Sequence, residues 1–289
     1  MKSLGQEWNK DDFEKYISEY MVKELKGYDY EWSEQIKYSI LNGGKRFRPA
    51  LIFNMGIAEI EREILYRLGI AIETLHSATL VHDDLPSIDD DDYRRGKLAA
   101  HKVYGEGIAL TGGDFMMFFA QKIVSELGMI SASEMLAKCA MDTAYGEALD
   151  IKFEKESSVP SREILKMYEY KTARFIQFSV CSPLLFSGKD KEIVNTMWEA
   201  GRNIGIAFQL LDDYKDVHGT FGELGKTPGK DEKQNKHTII KNEGIEKSQT
   251  LAAEFWDKGF ELIGEIEGVW NFEFLKEYLS KSWEIIKKS

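Results

Sequence analysis

The chain has 289 residues, with 49 acidic and 38 basic side chains and a formal net charge of −11. A bare nucleic-acid binder carries a basic excess to neutralise phosphates, so this balance argues against a nucleic-acid partner. Hydrophobic residues make up 43% and charged residues 30%, which is the balance of a globular protein, and no apolar run reaches the roughly 18–20 residues of a membrane span.

The opening stretch MKSLGQEWNKDDFEKY lacks the apolar segment of a signal peptide, so a cytoplasmic location is expected. Cys139 and Cys181 sit among apolar residues and form neither a disulfide framework nor a zinc spacing. Phe13, Tyr16, Ile17, Tyr20, Met21 and Leu25 recur at spacings of three and four, which predicts a first amphipathic helix. Asn42-Gly43-Gly44 predicts a turn. Lys45-Arg46-Phe47-Arg48-Pro49 follows it with three cations and a helix start at Pro49. Glycines let backbone N–H groups approach an anion, and arginine offers phosphate a bidentate fork. A surface basic turn is the plain alternative.

Leu65, Leu68, Ile72, Leu75, Thr79 and His82 predict a second long helix. His76 lies two turns before Asp83 on nearly the same face. The helix runs into His82-Asp83-Asp84-Leu85-Pro86-Ser87-Ile88-Asp89-Asp90-Asp91-Asp92, where six of the ten residues 83–92 are Asp. Pro86 cannot continue a helix, so the backbone loosens and Asp89 can fold back towards Asp83. Carboxylates so close repel one another unless cations sit between them, and hard divalent cations prefer oxygen ligands that they share with phosphates. Asp90 to Asp92 alternatively read as a solvated acidic loop, and the spacing does not fit an EF-hand. Arg94-Arg95-Gly96-Lys97 follows directly, as local ion pairs for those aspartates or as ligand cations.

Gly105, Gly107, Gly112-Gly113 and Val159-Pro160-Ser161 predict further turns. Ile164, Tyr168, Lys171, Phe175 and Phe178 predict a helix whose apolar face Lys171-Thr172 interrupts, and a buried lysine demands an acidic partner or a ligand. In Phe208-Gln209-Leu210-Leu211-Asp212-Asp213-Tyr214-Lys215-Asp216, Asp212 and Asp216 share a helix face with Gln209 one turn below. Two acidic clusters about 130 residues apart, each ending an apolar helical stretch, are hard to explain as surface solvation. Gly222 to Gly229 predicts a turn, and Lys226-Thr227-Pro228-Gly229-Lys230-Asp231 with Lys236-His237-Thr238 reads as a solvated loop or as a Gly/Lys loop able to close over a phosphate. Phe274, Tyr278 and Trp283 predict a last helix. No linker divides the chain, so one all-α domain over 1–289 is expected.

Taken in order, GGKRFRP at 43–49, HDDLPSIDDDDYRRG at 82–96, YKT at 170–172, FQLLDDYKD at 208–216 and GKTPGKDEKQNKHT at 225–238 resemble the trans-isoprenyl diphosphate synthases, the polyprenyl synthetase family. The resemblance implies an isoprenoid synthase-type helical bundle around a deep central cavity, a homodimer, and three magnesium ions per site. It implies that Asp83, Asp84 and Asp89 hold magnesium from one wall and Asp212, with Asp213 and Asp216, from the other. It further implies that Arg94, Lys171, Lys226 and Lys236 grip an allylic diphosphate. Gly44, Lys45, Arg48, His76 and Arg95 would bind isopentenyl diphosphate, and Thr172 and Gln209 would flank a developing carbocation.

Four positions depart from the family: Asn235 stands for the usual Gly, Glu147 for the frequent Gln, and Tyr214 and Lys215 are unusual inside the second motif. In that family the residues four and five before the first Asp often decide product length; here these are Thr79 and Ala78, both small, so the resemblance implies a tunnel open to geranylgeranyl diphosphate over farnesyl diphosphate. An Ala78→Phe substitution is then expected to shorten the product. Met116 to Phe119 offer a deeper floor, with core packing as the plain alternative. Rival readings are a class I terpene cyclase, which needs no second diphosphate site, and a non-catalytic subunit of a heteromeric synthase, which commonly lacks an Asp motif.

Overall fold

The computed structural model describes residues 8–55, 60–218, 236–264 and 266. Helices α1 (Lys10–Glu24), α2 (Tyr30–Leu41), α3 (Phe47–Asn54) and α4 (Arg62–Asp83) come first. A two-residue hairpin follows, β1 (Tyr93–Arg94) against β2 (Lys97–Leu98), and it is the only sheet among the described residues. Then come α5 (Ala100–Tyr104), α6 (Glu106–Ser125), α7 (Ile130–Phe153) and α8 (Ser161–Tyr168). A π-helical turn over Glu169–Ala173 leads into α9 (Arg174–Phe186), α10 (Lys191–His218), α11 (Ile239–Glu243) and α12 (Ile245–Gly264). Gly222 to Gly229, Lys226, Phe274, Tyr278 and Trp283 lie outside the described residues.

Helix α1 forms where the spacing predicts it. Asn9 accepts a hydrogen bond from the Asp12 N–H at 3.1 Å and caps the helix, and Phe13, Ile17, Tyr20 and Met21 are buried. Helix α4 is buried on nearly every side, from Leu65 to Val81, and packs against α3, α6 and α9. It is hydrophobic enough all round to serve as a central element.

One expectation is corrected here. Gly112 and Gly113 do not form a turn; both lie inside α6. Their job is steric. A Cβ on Gly112 would sit 2.3 Å from Gln35 Oε1, and one on Gly113 would sit 2.1 Å from His82 Nε2. The missing side chains let α6 close on α2 and α4.

The π-helical turn is wedged the same way. A Cβ on Gly146 of α7 would stand 2.3 Å from the Lys171 nitrogen, and one on Gly205 of α10 would stand 2.4 Å from the Ala173 Cα. Glu169 braces the turn from outside, with Oε1 2.9 Å from Arg174 Nη2 and Oε2 2.6 Å from Arg202 Nε. A π turn carries one residue more than an α turn and is common at functional sites.

Candidate active site

A cavity of about 480 Å³ opens between α4, α7, the π turn and α10. At one wall α4 ends at Asp83, and Pro86 does break the helix as expected. The chain folds back, with the Asp89 N–H donating to the Asp83 carbonyl at 2.8 Å and the Asp91 N–H to the Asp84 carbonyl at 3.2 Å. Asp83 and Asp89 both line the cavity. Burial, together with repulsion from Glu147 and Asp89, outweighs Lys171 and Arg94 and pushes the Asp83 carboxyl up to about 8.

Asp84 does not share that wall. It is buried, lies away from the cavity lining, and accepts a hydrogen bond from Arg94 Nε at 2.9 Å. Arg94 Nη2 also reaches Asp91 Oδ2 at 3.1 Å. Asp92 pairs with Lys102 at 2.8 Å. The acidic loop is thus partly neutralised by its own cations, as the local-pairing alternative held.

At the opposite wall, Gln209, Asp212, Asp213 and Asp216 of α10 all line the cavity. Asp212 is exposed while Asp213 and Asp216 are buried. Asp213 accepts from Gln209 Nε2 at 2.9 Å and from the Tyr168 hydroxyl. Thr172 donates to Gln209 Oε1 at 2.6 Å. A hydrogen-bonded row therefore runs from Thr172 through Gln209 and Asp213 to Tyr168.

Between the walls stand two lysines. Lys171 Nζ is 2.6 Å from both Glu147 Oε2 and Asp150 Oδ2. Burial alone would depress its ammonium, but Asp150 and Glu147 hold it well above the ordinary range. Lys236 Nζ reaches Asp89 at 2.9 Å and Asp150 at 3.5 Å. The acidic partner expected for Lys171 is therefore present, and Asp150, Glu147 and Tyr168 are site residues that the motifs did not single out as such. Asp150 lies three residues after Glu147, a spacing that sets both carboxylates on one face of α7.

A second cationic group lies beside the first. Arg48 and His76 line the cavity, and Arg48 stacks 4.9 Å over the Phe175 ring. Arg95 lies outside the lining, at the hairpin turn, where Arg95 and Gly96 both take positive φ as a two-residue turn requires. Its Nη1 donates to the Gly43 carbonyl at 2.9 Å, and a Cβ on Gly44 would stand 3.2 Å from its Cζ. His76 is kept neutral by burial and by the nearby Arg48, Arg95, Arg94 and Arg46, which lower it well below the usual value. Lys45 is exposed. Arg46, the third cation of the motif, turns inward instead, with Nε 2.8 Å from Glu14 and Nη1 3.0 Å from Glu73.

The apolar end of the cavity is lined by Thr79, Leu80, Met117, Ala144, Ala148, Ile151, Phe175 and Phe208. Ala78 is buried in the core and does not line it, which moves the expected tunnel wall to Thr79. Of the four residues from Met116 to Phe119, Met117 lines the cavity, Met116 and Phe119 are core, and Phe118 is 78% exposed.

Among the described residues, no three His, Cys, Asp or Glu side chains converge as a ready-made metal cage. That suits magnesium, which takes one or two carboxylates and completes its octahedron with water and substrate phosphates. Crowded carboxylates on facing walls, one of them pushed up to about 8, fit a hard divalent cation.

This fold and site define a helical bundle whose central cavity sets acidic walls and cationic groups beside apolar side chains. The polyprenyl synthetase family model matches residues 30–270. The chain is 37% identical to a dimethylallyltranstransferase of Fischerella ambigua, over 78% of this chain and 68% of that protein. A geranyltranstransferase of Thermotoga maritima superposes with a TM-score of 0.83 at 32% identity, covering 96% of this chain and 99% of its own. A Helicobacter pylori geranyltransferase, solved with magnesium and isoprenyl diphosphate, gives a TM-score of 0.78 at 25% identity over 96% and 97% of the two chains. The chain belongs to the polyprenyl synthetase family and is a prenyltransferase. No helix among the described residues is long and apolar enough to cross a membrane.

Proposed function

We propose that this enzyme is a magnesium-dependent short-chain trans-prenyl diphosphate synthase that condenses isopentenyl diphosphate head-to-tail with allylic diphosphates. The observation that carries the reading is the cavity itself, which sets two acidic walls and two cationic groups above an apolar pocket. Asp83 and Asp89 would hold magnesium from one side, Asp212 and Asp216 from the other, three ions in all. When bound, the metal neutralises the charge that develops on the leaving diphosphate.

The chain's own residues do the rest. Lys171 and Lys236, with Lys226 outside the described residues, grip the allylic diphosphate, and Arg94 carries their charge along the α4 wall. Arg48, His76, Arg95, Lys45 and the backbone at Gly44 receive the second diphosphate. Thr172 and Gln209 line the cavity where positive charge forms, and Phe175 and Phe208 exclude water from it. Asp84 and Asp213 act through Arg94 and Gln209, which they orient.

Geranylgeranyl diphosphate is the proposed main product, because the small Thr79 lines the pocket one turn below Asp83. A homodimer is proposed through α6 and α7. Leu110 and Phe118 share one face of α6, Met141 and Tyr145 one face of α7, and all four are exposed.

The test is incubation of purified protein with magnesium, isopentenyl diphosphate and each allylic primer. Elongated prenyl diphosphates are expected. A hydrocarbon product, or no turnover with any primer, overturns the reading. Sedimentation of wild type against Phe118→Asp checks the dimer, which the substitution is expected to dissociate.

A further inference from the structure

Lys171 has one more carboxylate than it needs. Asp150 alone suffices to hold a buried ammonium, lying 2.6 Å from Lys171 Nζ and also 3.5 Å from Lys236 Nζ. Glu147 adds a second contact of 2.6 Å to Lys171. It is one turn from Asp150 on α7, lines the cavity, and sends its charge across to Asp83. With Asp89 on Lys236, the two lysines face three carboxylates before Asp83 is counted.

The consequence for a ligand depends on whether it arrives with metal. A bare diphosphate entering between Asp83 and Lys171 must compete with Glu147 for the ammonium and lie beside its carboxylate. A diphosphate carrying a divalent cation brings positive charge that Glu147 attracts. Glu147 repels the bare ligand fully and the metal-neutralised one far less, and a difference of this kind is how discrimination is built.

We propose that Glu147 is a positioning residue that, acting through Lys171, biases the pocket towards metal-complexed diphosphate and against free diphosphate. The proposal rests on the reading of this cavity as the allylic-diphosphate site.

The probe is inorganic pyrophosphate, titrated calorimetrically into wild type, Glu147→Gln and Glu147→Asp, in chelator and in magnesium. Glu147→Gln removes the charge at constant shape. It is expected to bind metal-free pyrophosphate about tenfold tighter than wild type, so that the affinity gained on adding magnesium shrinks by at least that factor. Glu147→Asp keeps the charge and is expected to follow wild type. Misfolding cannot raise an affinity, so the gain is specific. Equal or weaker metal-free binding by Glu147→Gln, in a preparation whose wild type elongates prenyl chains, overturns this inference alone. Absence of elongation by wild type with every primer overturns the synthase reading instead.

Discussion

Arg94 and Asp84 form a bonded unit, with the guanidinium Nε 2.9 Å from Oδ1 and 3.2 Å from Oδ2 of the carboxylate. One motif thus divides its labour: Asp83 faces the cavity while its neighbour fixes a cation. Asp84→Asn is expected to lower kcat/KM by about 10–100-fold, the usual cost of losing a residue that orients a ligand group. Its magnesium requirement is expected to stay close to that of wild type, whereas Asp83→Asn raises it. Steady-state kinetics across a magnesium series separate the two.

Thr79 lines the cavity, and Ala78 is buried in the core outside it. Thr79→Phe is expected to shorten the product, read by mass spectrometry of the prenyl diphosphates. Ala78→Phe instead overpacks the core and is expected to cost about 1–3 kcal/mol of stability.

The π turn fits only between two glycines. Gly146→Ala places a methyl group 2.3 Å from the Lys171 nitrogen, a backbone atom that cannot swing aside. A loss of about 1–3 kcal/mol of stability is expected, read as a lower denaturant midpoint, together with loss of activity. Gly107→Ala, where nothing lies within 4 Å, is the control and should be neutral or slightly stabilising.

His76 is held neutral in the fold by burial and four arginines. Unfolded, it takes up a proton below about pH 6.5. The unfolded state then binds the extra proton, so stability is lost as pH falls through that value. His76→Gln is expected to flatten this acid limb, which urea titrations between pH 5 and 8 would show.

Much of the site was legible because its chemistry is local in sequence. The Pro86 break and the return of Asp89 towards Asp83 follow from one residue that cannot stay helical. The shared face of Gln209, Asp212 and Asp216 follows from the helical repeat. What stayed hidden depends on long-range packing. Arg46 reads as a ligand cation next to Arg48, yet positive φ at Arg46 turns it towards Glu14 and Glu73. Gly112-Gly113 reads as a turn because glycine is the commonest punctuation, and only the approach of Gln35 and His82 shows its steric purpose. Asp150 lies in no motif and matters because α7 crosses the π turn.

The extra residue of the π turn also sets a phase. Lys171 and Thr172 are sequence neighbours, and both face the cavity. Deleting one residue between Glu169 and Ala173 would restore an ordinary α-helical turn, leave α8 and α9 nearly in phase, and end the joint presentation of these two side chains to the cavity. The buried faces of α9 would keep their neighbours, and the loss would fall on the site alone. Within this stretch, side chains can be exchanged far more readily than the count of residues can be changed, so length is the tighter constraint on how the segment can vary.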